Sequence, residues 1–295
     1  MKLGLHMPVM DWQGDAPRLG DNLARIVETA DAGGFDLIAV ADHVWQHPIM
    51  GGPLKNQVEA YTTLGFIAAH TRNARLLALA TAASYRPAGL LAKIVTTLDV
   101  LSGGRAMLGI GAGDYPEEAE GLGLSYPSLR ERFEIEEEVV QAALLMWDGE
   151  HGGDGSFDGR HVQLGRALNV PQALARPHPP ILIAGSGEKR TLPLVARYAD
   201  ASNISPSPEI PRQLDVLRRL CDELGRDYES IEKTAPFGFD VGEHGEKAGE
   251  VVDQLRWLSG MGIQTVLGWV VGVDRIEPLE IMAREVIPAA AELGP

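Results

Sequence analysis

Apolar residues occur along the chain in two alternating arrangements, short continuous runs and longer stretches with helical spacing. The run FDLIAVA at 35–41 is typical of a parallel strand that is covered on both faces. In the stretch 87–100, apolar side chains recur every three or four residues, Pro87 suits the first helical turn, and Gly103 with Gly104 ends the helix. Eight such strand–helix steps follow one another, which favours a closed (β/α)8 TIM barrel over an open doubly wound sheet.

The same pattern predicts the bounds of each step. The predicted strands cover residues 2–7, 35–41, 75–83, 105–110, 180–184, 201–204, 235–241 and 263–271. The predicted helices cover residues 22–32, 61–70, 87–100, 128–147, 210–224, 248–259 and 277–291, with one more that opens at a Gly-Ser-Gly turn and ends at Tyr198. Ser128 and Glu131 have the spacing of a capping box at the start of their helix.

Two segments do not fit the alternation. Residues 44–59 form a loop that is too long for a simple connection. The glycine-rich stretch 149–165 contains two short β-like runs and begins an insertion, 149–179, after the fourth predicted helix. We expect both segments to lie across the barrel mouth and to line a substrate pocket. The whole chain, 1–295, is predicted to be a single domain, because barrels of this kind commonly reach about 250 residues or more as one unit.

Composition excludes several classes of function. Hydrophobic residues make up 45% and charged residues 23% of the chain, as in an ordinary soluble protein with an ample core. The formal net charge of −15 at pH 7 argues against a nucleic-acid or anionic-membrane partner. Cys221 is the sole cysteine, so neither a disulfide framework nor a cysteine metal cluster is expected. No signal peptide precedes the first strand and the apolar runs are too short to cross a bilayer, so the cytoplasm is the expected compartment.

The predicted strands end in polar and glycine-rich residues, although the strands themselves are apolar. In a (β/α)8 barrel the carboxyl ends of the strands meet at one mouth, where the functional residues lie. These ends are His6, Asp42-His43, Thr81 to Tyr85, Gly111 to Asp114, Gly185 to Gly187, Asn203, Phe239-Asp240 and Trp269.

Gly185-Ser186-Gly187 is the clearest binding element among these ends. It follows a strand and precedes a helix, so its amides and the positive end of the helix dipole are expected to face an anion. Ser186 adds a hydroxyl, and Lys189 or Arg190 adds a positive charge. The alternative is a tight turn that needs glycine only for its dihedral angles. In Gly111 to Asp114, glycines likewise let the backbone approach a ligand closely.

Several motifs resemble the luciferase-like monooxygenase superfamily. They are ADH at 41–43, AYTTLGFIAAHT at 60–71, the central LAK…TLDVLSGGR…LGIGAG, ILIAGSGEKRTLPLVARYADASN at 181–203 and LRRLCDELGRDYESIEKT at 217–234. Together they resemble the actinobacterial branch of oxidoreductases that uses the deazaflavin coenzyme F420. The resemblance covers most of the chain.

The resemblance implies roles for particular residues. It places the cofactor phosphate on Gly185, Ser186 and Gly187. It implies that Asp42 approaches the deazaflavin ring and that His43 works beside it, either in proton transfer or in stabilising the reacting complex. Asp114 falls where several relatives carry an acidic active-site residue, although many others have Trp there. Gly111 and Gly113 are assigned to cofactor binding with them.

The third strand departs from the common pattern of the superfamily. Its sequence, LALATAASYRP, keeps a Thr and the Tyr-Arg pair but is shorter before the proline. Many F420-dependent relatives carry a non-prolyl cis peptide here, which supports the ring from behind. By alignment this bond falls within 78–81, so Leu79, Ala80 and Thr81 are expected to contact the cofactor.

The expected activity is hydride transfer between C5 of F420 and a small organic molecule. An FMN-dependent oxidoreductase or monooxygenase on the same barrel is the alternative, and a flavin-binding protein without turnover is a third. A metal-dependent hydrolase is disfavoured, because His6, His43 and His47 lack the His-x-His pair and the carboxylates of a metal site. Relatives are commonly dimers, so a homodimer is expected.

Overall fold

The computed structural model describes residues 1–12, 16–153 and 155–294. Its strands are β1 Lys2–Met7, β2 Leu37–Val40, β3 Arg75–Ala78, β4 Thr81–Ala82, β5 Ala106–Gly111, β6 Phe157–Asp158, β7 Gln163–Leu164, β8 Ile181–Ala184, β9 Ala201–Asn203, β10 Glu232–Phe239 and β11 Thr265–Val270. Its α-helices are α1 Leu19–Ala32, α2 Ala60–His70, α3 Ala88–Ser102, α4 Pro116–Leu122, α5 Leu129–Trp147, α6 Thr191–Tyr198, α7 Ile210–Leu224, α8 Ala248–Gly260, α9 Glu277–Ile281 and α10 Ile287–Ala291. A π-helical turn, Met282–Val286, joins α9 to α10.

Parallel strands close into a barrel. Within the described residues the order around it is β1, β2, β3 with β4, β5, β8, β9, β10 and β11, and β11 pairs with β1. The helices surround this ring of eight strand positions. The structure therefore confirms the predicted (β/α)8 barrel.

The barrel has an apolar interior and a larger apolar layer outside it. Leu37, Leu77, Met107, Leu182 and Leu267 fill the interior, and all are buried. The outer layer packs strand side chains against the inward stripes of the helices, so it accounts for the helical spacing seen in the sequence. No helix in the described part of the chain has the length and hydropathy needed to cross a membrane.

The third strand is interrupted where the sequence predicts one continuous run. The peptide between Leu79 and Ala80 is cis, within the predicted segment 78–81, and it separates β3 from β4. Beside it, β5 passes so closely that a Cβ on Gly109 would lie 2.1 Å from the carbonyl oxygen of Ala78. Glycine is therefore required at position 109 for the close approach of the two strands.

One of the two helices in the fourth barrel step was not predicted from the sequence. Helix α4 follows β5 and was missed, because the short sequence PEEAEGL carries too little apolar periodicity. The next helix, α5, begins at the predicted place, and the capping box of Ser128 and Glu131 is confirmed.

The two short β-like runs predicted in the insertion form a hairpin. Strands β6 and β7 pair antiparallel, and Glu138 on α5 accepts the backbone N–H groups of residues 160–162. Asp99 on α3 accepts the N–H groups of Leu174 and Ala175. The insertion thus packs on the outer faces of α3 and α5. Residues 161–164 of its hairpin also line a cavity of about 520 Å³ together with Tyr85 and Arg86, which follow β4. Asp154, within the insertion, is outside the described residues.

Candidate active site

His43 lies at the mouth of the barrel, three residues after the end of β2. Its Nδ1 is 3.2 Å from Oε2 of Glu118 on α4. The Glu118 side chain is fully buried, and its Oε1 accepts the N–H groups of Val44 and Trp45 at 2.5 and 2.8 Å. The hydroxyl of Tyr85 donates to Oε2 at 3.0 Å. Glu118 therefore fixes both the His43 ring and the backbone that follows it.

These contacts set the charge of both groups. Burial by itself lowers the pKa of His43, but the hydrogen bond and charge of Glu118, together with the charges of Asp114 and Asp42, raise the pKa above its ordinary value. Burial raises the pKa of Glu118, but the hydrogen bonds from His43 and from two backbone N–H groups outweigh it and lower the pKa. His43 thus keeps its proton to a higher pH than a free imidazole does, which suits a proton donor near neutral pH.

The other imidazole nitrogen faces the open side of the site. Nε2 of His43 is 4.0 Å from Oδ1 of Asp114, whose side chain is 75% exposed. The rings of His47 and Tyr115 pack around the imidazole, with centroids 5.3 and 5.9 Å from that of His43. Within the described residues Nε2 makes no hydrogen bond, so it is the nitrogen that a bound molecule can reach.

Asp42 belongs to a second, buried network. The guanidinium of Arg86 donates to both carboxylate oxygens of Asp42, at 2.6 and 2.9 Å. The hydroxyl of Thr81 donates to Oδ2 at 2.7 Å and accepts from the hydroxyl of Tyr61. Glu59 accepts a further bond from Arg86 at 2.8 Å. With both oxygens engaged and the residue 4% exposed, Asp42 ties the ends of β2 and β4 together.

The family model described as luciferase-like monooxygenase matches residues 2–285. The chain belongs to the luciferase-like monooxygenase family. The match includes every barrel strand and both carboxylate networks around His43 and Asp42.

One curated relative in this family is the F420-dependent glucose-6-phosphate dehydrogenase of Nakamurella multipartita. It is 30% identical over 230 residues, which is 75% of this chain and 64% of the relative. The match therefore spans less than two thirds of that relative's length.

Solved structures of the luciferase-like fold superpose on nearly the whole chain. An F420-dependent secondary alcohol dehydrogenase in complex with an F420–acetone adduct has a TM-score of 0.82 at 16% identity, with 98% of each chain covered. The oxygenating constituent of 3,6-diketocamphane monooxygenase from Pseudomonas putida, in complex with FMN, has a TM-score of 0.75 at 16% identity, again with 98% of each chain covered. At this identity the likeness establishes the fold.

Gly185-Ser186-Gly187, here called the glycine turn, was predicted to open a helix directly, and the structure differs from this prediction in part. A turn at 188–190 separates it from α6, which begins at Thr191, so the glycine turn does not itself open the helix. The N–H of Gly185 donates to the carbonyl oxygen of Asn203 at 2.9 Å and is therefore occupied. Within the described residues the other two amides of the glycine turn make no hydrogen bond. A Cβ on Gly187 would lie 3.2 Å from Oγ1 of Thr191, so glycine keeps this space open.

The remaining predicted cofactor residues lie at neighbouring strand ends. Leu79 packs on the inner apolar cluster, and a Cβ on Gly111 would lie 4.0 Å from the Cβ of Ala80 and 3.8 Å from that of Ala184. Gly113 has a φ of 79°, in the left-handed region that favours glycine. The structure thus brings the Leu79–Ala80 peptide, Gly111 and the glycine turn to one side of the mouth. Thr81 is also near, but its hydroxyl is directed to the Asp42 network.

Several residues of the site were missed in the sequence. Arg132 on α5 donates to the carbonyl oxygens of Ala112 and Gly113, and its guanidinium lies 3.9 Å from the ring of Tyr126. It places a positive charge beside Gly113, which follows β5. Glu118, like Arg132, looks like a solvated helix charge in the sequence. The available signal was its place in the first turn of a short helix, which four residues separate from the end of β5.

Proposed function

We propose that the chain is an F420-dependent oxidoreductase, which transfers a hydride between the deazaflavin coenzyme and a small organic molecule. The observation that carries this proposal is that a protonable imidazole, His43, shares the barrel mouth with a glycine turn that has two unengaged amides. The F420-dependent relative from Nakamurella multipartita and the F420-dependent structural neighbour support the choice of cofactor.

The residues at the mouth fit a phosphate-bearing tricyclic cofactor. The two amides of the glycine turn and the amino end of α6 would hold the phosphate. Small residues at the adjacent strand ends, Ala80, Gly111 and Ala184, leave room for a flat ring over the Leu79–Ala80 peptide. Because the net charge of the chain is −15, binding of an anionic cofactor depends on these local hydrogen-bond donors.

The side chains around His43 would handle the proton that accompanies the hydride. When bound, the deazaflavin supplies or accepts the hydride at C5. His43 donates or removes the proton of the substrate through Nε2, while Glu118 holds Nδ1 and the ring orientation. Asp114, on the exposed side, raises the pKa of His43 by its charge and lies beside the substrate. Asp42 acts indirectly, because it holds the strand end that follows the Leu79–Ala80 peptide through Thr81.

The substrate pocket is proposed to lie between His43 and the loop 44–59. Gln46 anchors this loop by a hydrogen bond from Nε2 to the carbonyl oxygen of Pro8, at the end of β1. Ile49 and Leu54 on the same loop are 83% and 98% exposed, so they are available to cover an apolar molecule.

The proposal also includes a homodimer, formed through helices α2 and α3. The outward faces of the adjacent helices α2 and α3 carry Gly65, Phe66, Leu90, Thr97 and Leu101, all exposed and uncharged. A second copy of a chain with a net charge of −15 is repelled except where the two surfaces are uncharged. This face therefore fits a second copy of the chain.

Binding of the cofactor tests the proposed function directly. The protein is titrated with F420 and, separately, with FMN, and the dissociation constants are measured from the change in absorption or fluorescence of each. We expect F420 to bind more tightly than FMN. Preference for FMN would instead support the FMN-dependent alternative on the same barrel, and failure of both to bind would overturn the proposal.

A further inference from the structure

His6 is a half-buried polar side chain that the proposed proton transfer does not use. It lies on β1, level with Ala39 of β2. Its Nε2 is buried and makes no hydrogen bond within the described residues. Burial lowers the pKa of His6 to about 4, so the imidazole is neutral at physiological pH and each nitrogen has one fixed role, donor or acceptor.

The side chain of His6 is directed into the barrel. Side chains alternate along a strand, and Leu3, Leu5 and Met7 of β1 all belong to the outer apolar layer. His6 and Gly4 therefore face inward. A Cβ on Gly4 would lie 2.6 Å from a methyl group of Leu267 in the inner cluster, which agrees with this assignment.

The position of β1 in the ring places His6 across the mouth from the glycine turn. Of the eight strand positions in the described residues, β1 is the first and β8, which ends in the glycine turn, is the fifth. The first and fifth positions of an eight-stranded barrel are diametrically opposite. A cofactor that has its phosphate at the glycine turn and its ring across the mouth therefore points the far edge of the ring toward β1.

The space next to His6 suits a flat ring. A cavity of about 290 Å³ is lined by His6, Trp12, Met50 and Trp269, among others. Trp269 is 42% exposed at the end of β11 and lies against Gly238, where a Cβ would come within 2.8 Å of the indole. On the other side of His6, Ala39 occupies little of the lumen. Among the described residues that line this cavity, His6 and Asp274 are the polar side chains, and the rest of the lining is apolar or aromatic.

We propose that Nε2 of His6 hydrogen-bonds the polar pyrimidine edge of the bound cofactor ring and positions that ring across the mouth. This inference rests on the proposed function, because it needs a ring cofactor anchored at the glycine turn. The pyrimidine edge carries N–H and carbonyl groups in both flavins and deazaflavins, so either tautomer of the imidazole finds a partner. A buried polar atom without a partner destabilises the free protein, whereas the same atom strengthens binding of a ligand that pairs with it.

The proposal is tested with the variants His6→Leu and His6→Asn beside the wild-type protein. Each is titrated with F420 and with the F420 chromophore that lacks the phosphate and tail. If FMN is the preferred cofactor, FMN and riboflavin are used instead, since riboflavin lacks the phosphate. Melting temperatures of the free proteins are recorded on the same preparations. We expect His6→Leu to weaken both forms of the cofactor by about tenfold, since both contain the ring, and to raise the melting temperature of the free protein. His6→Asn keeps a hydrogen-bonding side chain and should restore most of the affinity.

The outcomes separate this inference from the proposed function. If the wild-type protein binds neither cofactor, the proposed function fails and this inference fails with it. If the wild-type protein binds F420 and His6→Leu binds it equally well, the proposed function stands and the role of His6 is overturned. A lower melting temperature in folded His6→Leu with unchanged affinity would show that His6 serves the fold alone.

Discussion

At the scale of single residues, Glu118 and Asp114 act on His43 from different environments, and Asp42 adds a smaller effect. Glu118 is fully buried and forms a hydrogen bond of 3.2 Å, whereas Asp114 is 75% exposed and lies at 4.0 Å. Charges in a buried environment are screened less than charges in water. Glu118 is therefore the stronger influence on the imidazole, although only Asp114 was singled out in the sequence.

His43→Ala removes the proposed proton donor and leaves the glycine turn intact. We expect single-turnover hydride transfer to fall by about two to four orders of magnitude, the usual scale for lost general acid–base catalysis. The dissociation constant of F420 should change little. Measuring rate, affinity and melting temperature on the same preparation distinguishes this role from a structural one, in which stability and affinity would fall together. Nearly normal hydride transfer in the variant would end the catalytic assignment.

Glu118→Gln keeps the size of the side chain but removes its charge. Because the hydrogen bond to ionised Glu118 and its charge raise the pKa of His43 in the folded protein, we expect the pKa to fall in the variant. The alkaline limb of the pH–rate profile should then move to lower pH, and an NMR titration of the imidazole should show the same direction.

The raised pKa of His43 also makes the stability of the folded protein depend on pH. A histidine whose pKa is raised on folding stabilises the native state below its ordinary pKa, and this contribution is lost as the pH rises through the folded pKa. Glu118→Gln should flatten that part of the stability profile. Asp114→Asn is the matched control and should shift the pKa of His43 less, and an equal shift in both variants would contradict the dominance of Glu118.

At the scale of elements, the groups proposed to bind the cofactor phosphate lie on the connections that follow strands rather than on the strands themselves. The glycine turn follows β8, and α6 begins after it. Regular strands use their amides in the ladder, so only irregular backbone has amides to offer an anion. Gly185 shows the limit of this rule, since its amide is still part of the barrel pairing.

Gly187→Val tests the glycine turn as the phosphate site. Its Cβ would lie 3.2 Å from Oγ1 of Thr191, and its branched side chain would fill the space above the unengaged amides. We expect the variant to stay folded and to lose affinity for F420 while it retains affinity for the chromophore without phosphate. Gly165→Val is the control, because no atom lies within 4 Å of a Cβ at that position. Unchanged affinity for F420 in Gly187→Val would place the phosphate elsewhere.

At the scale of the whole molecule, the net charge of −15 limits what the surface can bind. Such a charge favours solubility and repels other acidic surfaces, including a second copy of the same chain. The uncharged face of α2 and α3 is the exception, and it lies on the same side of the barrel as the Asp42 network, since Tyr61 and Glu59 belong to α2 and its N-cap. A dimer through this face would therefore also restrain that network.

The dimer is tested by light scattering coupled to size-exclusion chromatography. We expect twice the mass of one chain for the wild-type protein and the mass of one chain for the double variant Phe66→Glu, Leu101→Glu, because two buried charges on each side oppose association. Trp257→Glu on α8 serves as the control, since Trp257 is 54% exposed but lies outside this face. A wild-type protein that elutes as a single chain would overturn the dimer.

The sequence by itself determined the barrel and the set of strand ends. Helix 210–224 and strand 2–7 have the predicted bounds, because apolar spacing is a local property that each element must satisfy in order to bury one face. The order of strand ends around the mouth then follows from the barrel, which is why His43, Asp114 and the glycine turn could be named in advance as neighbours.

Only the tertiary structure decided how these residues are paired. His43 and Glu118 are 75 positions apart, and Asp42 and Arg86 are 44 positions apart, so no local pattern marks either pair. The break between β3 and β4 and the place of the insertion also depend on packing between distant segments, such as the passage of Gly109 beside Ala78. Periodicity reports which face of an element is buried, whereas contacts between elements decide which buried charge meets which partner.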